Sequence, residues 1–354
     1  MPRRRIAVIG PSDAIVEPFS GGLAAHVWAL TAALQARGHD TTLFAAQGSD
    51  PGLPTVDLSF SPPVLSEAAR SDVSMPSETF LAEHHAYLTL MLRLAHHPER
   101  WDVVHNHSLH YLPIAMARSV AVPMVTTLHT PPTPWLESAF QAGLLPPVRF
   151  AAVSAHTAAQ WQPLLGHVEV IPNGIDCDRW RPGPGGDGLA WSGRITPEKA
   201  PHLAVDAARR TGRRITLAGP VCDRAYFDAQ LLPRLGPDVV YAGHLVQSDL
   251  SRLLRESAAL VVSPVWDEPY GLVVAEALAS GTPVAAFRRG GIPEVVDDRC
   301  AALAEPDDVD SLAAAIDAAV RLDRRAARRR AERHCSVDTM VDRYEDLLFD
   351  TVAA

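Results

Sequence analysis

The segment Trp266–Val284, WDEPYGLVVAEALASGTPV, decides how the fold of the chain is interpreted. Its apolar run Leu272–Ala279 predicts a helix that begins near Gly271. Gly281 suits the left-handed position that follows a helix, and Pro283 prevents the helix from continuing. A buried strand is predicted directly after this proline. The segment is therefore interpreted as a loop, a helix and a strand.

Two carboxylates flank the start of this helix. Glu268 lies in the loop before it, and Glu276 interrupts its apolar run. The free amides of Gly271, Leu272 and Val273 would bind a phosphate, while the carboxylates would accept hydrogen bonds from sugar hydroxyls. A nucleotide sugar has this layout, with a phosphate between two polyols. Alternatively, both are ordinary helix-start acids, although an unpaired carboxylate in an apolar helix argues against this for Glu276.

The composition of the 354 residues restricts the classes of protein to consider. The length predicts about two domains. A hydrophobic content of 47% and an aromatic content of 6% predict a soluble globular protein. The net charge of −9 excludes a chain that binds nucleic acid over its whole surface. The cysteines are scattered without ligand spacing, which predicts no disulfide or zinc site and a cytoplasmic location: Cys177, Cys222, Cys300 and Cys335.

The sequence leaves open whether the protein contacts a membrane surface. No apolar run approaches the length of a membrane span, and the apolar part of the start MPRRRIAVIG is too short for a signal peptide. The basic run Arg321–Arg333 has two interpretations, a solvated helix face and peripheral contact with anionic lipid, and composition favours the first. No feature of the sequence indicates the oligomeric state.

The first half of the chain alternates predicted strands and helices. The predicted strands are Arg5–Gly10, Asp40–Ala46, Trp101–Asn106, Pro123–Leu128, Arg149–Val153 and Val168–Ile171. Helices are predicted at Leu23–Arg37 and Glu78–Ala95, and the polar segment Ser49–Ser77 is predicted to be a long surface connection. Gly21 and Gly22, before the first helix, would let a phosphate or sugar approach the backbone, or would only turn the chain.

A Pro- and Gly-rich linker, residues 172–188, precedes a second series of strands and helices. The strands predicted here are Leu189–Ser192, Arg214–Ala218, Val239–Tyr241, Ala259–Ser263 and Val284–Phe287. Strands that alternate with helices predict a parallel sheet with right-handed crossovers. We therefore expect two similar α/β domains, residues 1–171 and residues 189–336.

Three motifs resemble those of one known family. They are the double-Glu segment EPYGLVVAEALASGTPV, the motif GR…PEK at Gly193–Lys199, and PNGID at Pro172–Asp176, in the family's order. The chain thus resembles the retaining glycosyltransferases of family 4, which have the GT-B fold. The resemblance implies two Rossmann-like domains that face each other across a cleft, with residues 337–354 crossing back to the first domain. One departure is Ala200, where the family usually has glycine.

The resemblance also implies an activity. It is the retaining transfer of a sugar from a nucleotide diphosphate sugar, with UDP as the favoured nucleotide, to an acceptor hydroxyl or amine. In the family, the cations of GR…PEK neutralise the donor diphosphate, a role that falls here to Arg194 and Lys199. Glu268 would hold hydroxyls of the transferred sugar and Glu276 those of the ribose. His129, in the motif TLHT, would face the transferred sugar and support catalysis.

The remaining site residues follow from strand and helix ends around the cleft. The further donor contacts expected are Gly21, Gly22, Gly193, Gly219, Leu245, Tyr270, Gly271, Leu272 and Val273. Candidates on the acceptor side are His105, His107 and Ser154. The acceptor is not identified, and small-molecule, lipid and glycan acceptors stay open. Its contacts are expected in the first-domain loops Ser12–Gly22, Ser49–Ser77, His105–His110 and Thr130–Pro147.

No cofactor or metal ion is expected. His105, His107 and His110 are close enough in sequence for a metal site, but no acid or cysteine follows at ligand spacing, so a polar rim is favoured. Arg194, Lys199 and the helix amides would serve the diphosphate instead. Two other classes of function stay open: a GT-B sugar phosphorylase or nucleotide-sugar epimerase, and a non-catalytic nucleotide-sugar-binding subunit. A pure binder would not need transition-state cations, which argues against the latter.

Overall fold

The computed structural model describes residues 2–74, 76–141 and 148–353. Residues 142–147 of the predicted acceptor loop and residue 354 of the last segment lie outside this part of the chain. Short runs of Val, Ile, Leu and Ala form the strands, most of which are buried, as in parallel sheets that helices cover on both faces. The strands assemble into two separate sheets, one in each half of the chain.

In the part of the chain that the structure describes, the first sheet contains seven parallel strands: β1 (Arg5–Ile9), β2 (Asp40–Ala46), β3 (Thr55–Leu58), β4 (Val103–Asn106), β5 (Met124–Leu128), β6 (Val148–Ala152) and β7 (Glu169–Val170). Their spatial order is β3-β2-β1-β4-β5-β6-β7. The order reverses between β1 and β4, where Ile9 pairs with Asn106. Ligands of open α/β sheets bind beside such a reversal, at the carboxyl ends of the strands.

Across the described ranges, the second sheet contains six parallel strands: β8 (Leu189–Ser192), β9 (Ile215–Ala218), β10 (Val239–Tyr241), β11 (Ala259–Val262), β12 (Val284–Phe287) and β13 (Ala301–Ala304). Their spatial order, β10-β9-β8-β11-β12-β13, repeats the winding of the first sheet, with a reversal between β8 and β11. Both halves are therefore Rossmann-like, and the predicted fold class is confirmed.

Two edge strands differ from the prediction. β3 lies inside Ser49–Ser77, which was predicted to be a surface connection, and a short helix at Glu67–Arg70 follows it. β3 is largely half-exposed, so it lacks the buried apolar pattern that identifies the other strands. β13 has the sequence AALA, and alanine has a low strand propensity. Both strands form through pairing with a neighbour rather than through their own composition.

Helices cover both faces of the sheets. Among the described residues they are α1 (Gly22–Ala36), α2 (Glu67–Arg70), α3 (Glu78–His96), α4 (Leu112–Ala115), α5 (Pro134–Gln141), α6 (Ala155–Leu165), α7 (Pro201–Arg210), α8 (Arg224–Tyr226), α9 (Gln247–Arg255), α10 (Leu272–Ala279), α11 (Ile292–Val295), α12 (Val309–Ala319), α13 (Arg324–His334) and α14 (Val337–Ala353). No helix in these ranges combines the length and the apolar character that crossing a bilayer requires.

The last helix, α14, returns to the first domain. Met340 and Tyr344 of this helix share a core cluster with Val27 of α1. Arg37, directly after α1, donates a hydrogen bond of 2.7 Å to the carboxylate of Glu345. The last helix therefore packs against the first helix of the chain.

The basic run at Arg321–Arg333 forms most of α13. Arg324, Arg328 and Arg330 donate hydrogen bonds to backbone carbonyl oxygens of the linker and the second domain. These three arginines therefore stabilise the fold, while Arg325, Arg329 and Arg333 are exposed and form the solvated face that composition favoured.

Candidate active site

A cleft of about 370 Å³ lies between the two domains. Residues that follow β1, β5 and β6 line one wall, and residues that follow β8, β9 and β11 line the other. The structure brings every predicted catalytic and donor-binding residue to this cleft: Gly21, Gly22, His129, Gly193, Arg194, Lys199, Gly219, Leu245, Glu268, Tyr270, Gly271, Leu272, Val273 and Glu276. Tyr270 contributes little surface, because its side chain is only 4% exposed and packs in the second-domain core.

The start of α10 lies at the cleft. Gly271 precedes the helix with φ of +90°, a backbone conformation that side chains other than glycine rarely adopt. The amide of Val274 donates to the carbonyl oxygen of Gly271 at 2.9 Å, which begins the helical hydrogen bonds. The amides before Val274 have no partner within the helix, so this end of α10 can accept an anion.

The side chain of Lys199 forms an ion pair with Glu268 in the cleft. Trp266 donates its indole N–H to the same carboxylate oxygen at 3.1 Å, and the Lys199 ammonium lies 5.0 Å from the centroid of the Trp266 ring. Lys199 is the only lysine in the whole sequence. A compact ammonium with three donors is not interchangeable with arginine, so the presence of this single lysine in the cleft indicates a specific role for it there.

Arg194 follows the end of β8, where two strand ends approach very closely. A Cβ added to Gly219, whose φ is +144°, would lie 1.8 Å from the carbonyl oxygen of Gly193. Only glycine fits at position 219, and the contact fixes the backbone that carries Arg194. The guanidinium of Arg194 is 3.5 Å from Glu198, and its side chain is 43% exposed, so it remains available to a ligand.

Glu276 is the second acid of the cleft and differs from Glu268. It is buried on α10, and burial raises the pKa of Glu276 to about 8. Within the described residues its carboxylate has no hydrogen-bond or ion-pair partner. Glu276 also lines the cleft, so a ligand bound there can donate hydrogen bonds to this carboxylate.

The glycine pair of the first domain lies against the second domain. A Cβ added to Gly22 would lie 3.7 Å from the Cβ of Leu272, and one added to Gly21 would lie 4.0 Å from the Cδ of Arg194. The start of α1 therefore lies close to the start of α10 and to the side chain of Arg194.

His129 belongs to a buried group of imidazoles that the sequence did not reveal. Its Nε2 is 2.9 Å from Nδ1 of His107, and both rings pack against His26 of α1. Burial, followed by the neighbouring imidazoles, lowers the pKa of His129 well below the usual range, so the ring is neutral. Nitrogens of the three rings lie within 4.8 Å of one another, which is close enough to hold a metal ion.

The acceptor-side candidates lie outside the cleft surface. His105 is fully buried and bonds to the hydroxyl of Thr127 at 2.9 Å. His107 lies beneath His129, and Ser154 caps α6 by accepting a hydrogen bond from Thr157. His110 packs against Tyr111, apart from His105 and His107. The metal site that the sequence suggested for His105, His107 and His110 is therefore not formed by these described residues.

A contact between the domains was not predicted from the sequence. The carboxylate of Glu294, in the second domain, accepts hydrogen bonds from the amides of Ala155 and His156 at 2.7 and 2.8 Å. These amides form the start of α6 in the first domain, so an acid from one domain caps a helix of the other. The residues involved are 138 and 139 positions apart, and no local pattern could indicate the contact.

Comparison with known proteins identifies the family. Residues 20–179 match Glycosyltransferase Family 4, and residues 186–321 match Glycosyl transferases group 1. The chain is 33% identical to glycogen synthase of Mycobacterium tuberculosis over 88% of its own length and 85% of that protein. The chain is a glycosyltransferase of family 4. This confirms the family resemblance and the prediction of a transferase enzyme.

The glycosyltransferase is similar to further proteins. It is 31% identical to D-inositol 3-phosphate glycosyltransferase of Mycobacterium marinum, over 66% of this chain and 58% of that protein. Its fold matches the structure of Anabaena HepE in complex with UDP-glucose, with a TM-score of 0.74 and 16% identity, over 98% of this chain and all of that one. At that identity the structural match supports the GT-B fold.

Proposed function

We propose that the glycosyltransferase transfers a sugar from a UDP-sugar to an acceptor hydroxyl or amine with retention of the anomeric configuration. The observation that carries the proposal is the unpartnered, buried carboxylate of Glu276 beside the start of α10. An anion site next to an acid that lacks hydrogen-bond donors suits a diphosphate joined to a ribose. The HepE complex with UDP-glucose supports the choice of UDP.

The donor is oriented by charge. The diphosphate lies against the start of α10, Arg194 and Lys199, while Glu276 accepts hydrogen bonds from the ribose hydroxyls. One N–H of Lys199 is used by Glu268, which leaves two for phosphate oxygens. Glu268 has free lone pairs for hydroxyls of the transferred sugar. The nucleobase lies near Gly219 and Leu245 on the second-domain wall.

In the proposed reaction, the acceptor attacks the anomeric carbon from the same face of the sugar that the phosphate leaves. The bond from the anomeric carbon to the phosphate oxygen breaks while the bond to the acceptor oxygen forms on the same side. The acceptor proton passes to the leaving phosphate. Arg194, Lys199 and the α10 amides stabilise the charge that develops on the phosphate. Neutral His129 hydrogen-bonds a hydroxyl of the transferred sugar, and no metal ion is required for the diphosphate.

A donor screen tests this proposal. UDP-, GDP-, ADP- and TDP-glucose are compared for slow hydrolysis by the enzyme, with and without EDTA, and the anomer of the released sugar is read by NMR. The proposal expects UDP-glucose to be hydrolysed fastest, with retention and without an effect of EDTA. Inversion would contradict the retaining mechanism. Faster turnover with inorganic phosphate as acceptor would identify a phosphorylase. Loss of activity in EDTA would indicate a bound metal ion, for which His26, His107 and His129 are the candidate ligands.

A further inference from the structure

We propose that His26, His107 and His129 bind one Zn²⁺ ion, and that this ion inhibits sugar transfer by holding His129 away from the donor sugar. These three side chains form the histidine cluster. The inhibition rests on the proposed function, in which His129 contacts the transferred sugar, whereas the ion site does not. The site would make sugar transfer respond to a metal ion that the reaction itself does not need.

The histidine cluster has the donor atoms and the spacing of a zinc site with three protein ligands. Nitrogens of the three rings lie within 4.8 Å of one another. The Nδ1 of His107 and the Nε2 of His129 are 2.9 Å apart. Two nitrogens bound to one tetrahedral Zn²⁺ ion at about 2.05 Å lie roughly 3.3 Å from each other. Small movements of the rings would therefore place all three nitrogens around one ion.

The ring of His26 is free to act as a ligand, because no other group uses its nitrogens. Its side chain is 1% exposed, and within the described ranges neither ring nitrogen has a hydrogen-bond partner. The buried Nε2 of His107 also lacks a partner among these residues. Buried polar atoms are nearly always hydrogen-bonded, so an imidazole with two unpaired nitrogens is unusual. An ion held by the cluster would give one of them a partner, and no hydrogen bond of His26 would be broken.

All three rings are neutral, which is the form of histidine that binds a metal ion. Burial lowers the pKa of His26 to about 3. Burial, followed by neighbouring imidazoles, lowers the pKa of His107 and of His129 well below the usual range. The proton shared between His107 and His129 would move to the other nitrogen of its own ring when the ion binds. Binding therefore needs no net release of a proton.

The ligands of the histidine cluster favour zinc over the ions of oxygen-rich sites. Imidazole nitrogen suits Zn²⁺, which is often held by three protein ligands with one position left open. In the described part of the chain, no carboxylate belongs to the cluster. Mg²⁺ prefers oxygen ligands and gives up its water reluctantly, so the cluster should not bind it. Mg²⁺ is therefore the matched control ion.

The histidine cluster adjoins the cleft on one side. His129 lines the cleft, and so do Ala24 and Ala25, which directly precede His26. His26 and His107 are buried behind His129. An ion that enters the cleft would therefore meet His129 first, and the other two rings would complete its coordination.

An ion at the histidine cluster would separate donor binding from turnover. It would use the lone pair of His129 and draw this ring towards His26 and His107, so the transferred sugar would lose its contact. The diphosphate is assigned to Arg194, Lys199 and the start of α10, which the ion does not touch. Zinc should therefore lower the turnover of UDP-glucose and leave the affinity for UDP unchanged.

Calorimetry on protein that has been treated with EDTA and dialysed tests the ion site without any donor. The wild-type protein should bind one Zn²⁺ ion per chain and no Mg²⁺. His26→Leu removes one ligand from an apolar helix face and should weaken zinc binding at least about tenfold. The control is His96→Leu, at an exposed histidine of α3, with unchanged zinc affinity. No zinc binding to the wild-type protein, or equal affinity in the wild type and His26→Leu, would overturn the inference.

Co²⁺ gives a second readout that needs no variant. Co²⁺ in a tetrahedral site with nitrogen ligands absorbs visible light strongly, whereas Co²⁺ surrounded by water absorbs weakly. The wild-type protein should develop the strong absorption with one Co²⁺ ion per chain, and Zn²⁺ should remove it by displacement. Only the weak absorption would overturn the histidine cluster as a tetrahedral site.

Hydrolysis of UDP-glucose at increasing Zn²⁺ concentration tests the inhibition. His26→Leu should keep its activity without zinc and need at least about tenfold more Zn²⁺ for half-inhibition than the wild type. Because Zn²⁺ also binds diphosphates in solution, equal inhibition of the two proteins would overturn the inhibitory role, as would loss of activity in EDTA. If no nucleotide sugar is hydrolysed but zinc binds through His26, the proposed function and the inhibition fail while the ion site stands. If UDP-glucose is hydrolysed and zinc does not bind, this inference fails alone.

Discussion

The ammonium group of Lys199 and the carboxylate of Glu268 form an ion pair in the cleft, although 69 positions separate them in the chain. Trp266 contacts both groups, and the three side chains form one unit. In the proposed mechanism, the pair keeps Lys199 in place before a phosphate arrives. It also links the cation proposed to stabilise the leaving phosphate to the carboxylate proposed to hold the transferred sugar.

Replacing Lys199 is expected to affect turnover more than donor binding. Lys199→Ala removes a fixed cation that acts on charge developed in the transition state, so kcat should fall by about 10²-fold while the donor KM changes less. Lys199→Arg keeps the charge but not the compact ammonium, and should retain part of the activity. Steady-state kinetics measure both. A change confined to KM would mean that Lys199 only binds the donor.

The buried acid is expected to make donor binding depend on pH. Ribose hydroxyls favour the ionised form of Glu276, whose pKa is about 8 in the free protein. Binding therefore releases a proton when the pH lies below that value, and the affinity should rise by up to about tenfold per unit as the pH increases towards it. The intact nucleotide sugar has no phosphate that titrates in this range, so the protein is the source of the proton.

Calorimetry in buffers of different ionisation enthalpy measures this proton release. Glu276→Gln is the matched control, because it keeps the shape of the side chain and removes the titration. We expect weaker binding with a flat pH profile in this variant. A wild-type profile that is equally flat would place the ribose elsewhere.

Glu294 is expected to hold the domains together in the absence of a ligand. Glu294→Ala leaves two amides of α6 uncapped, which should lower the free energy of unfolding by about 0.5–1 kcal/mol. The radius of gyration of the free protein should increase, because the contact joins the two domains. Calorimetry and small-angle scattering measure these changes. The control is Glu256→Gln, which alters an exposed acid of the second domain. Identical behaviour of the two variants would show that Glu294 is dispensable for closure.

The close approach of β8 and β9 is expected to reject any side chain at position 219. Gly219→Ala would bring a methyl group against the carbonyl oxygen of Gly193 and displace Arg194. Gly212→Ala is the control for adding a methyl group at a positive φ, here +67°, because its Cβ has no neighbour within 4 Å. We expect Gly212→Ala to cost about 1–2 kcal/mol and Gly219→Ala distinctly more, by urea denaturation. Equal midpoints would contradict the packing described here.

The sequence was sufficient to predict the residues that follow strand ends. Arg194, Lys199 and His129 each follow a strand that the local pattern identifies, and the carboxyl ends of parallel strands meet at one edge. Their positions after these strands therefore predict that they lie at the cleft, and this prediction needs no information about tertiary contacts. Lys199 is also the only lysine in the sequence, which supports its selection as a site residue.

The contacts that the sequence did not reveal join distant segments. His26 lies on the buried face of α1, where a histidine in an apolar helix gives no sign that it packs beside His107 and His129. Glu294 lies in the first turn of its own helix, α11, which accounts for an acid there without reference to α6. Such pairings depend on how the two domains and their loops pack, and local periodicity carries no information about them.

Binding of UDP-glucose to the wild-type enzyme and to Glu276→Ala, by calorimetry in the presence of EDTA, tests the central claim most directly. The account predicts one donor per chain, no effect of EDTA, and a loss of about 1–3 kcal/mol of binding free energy in the variant, because the ribose loses a charged hydrogen-bond acceptor. Equal affinity in the two proteins, or binding that EDTA abolishes, would contradict the assignment of this cleft as a metal-independent nucleotide-sugar site.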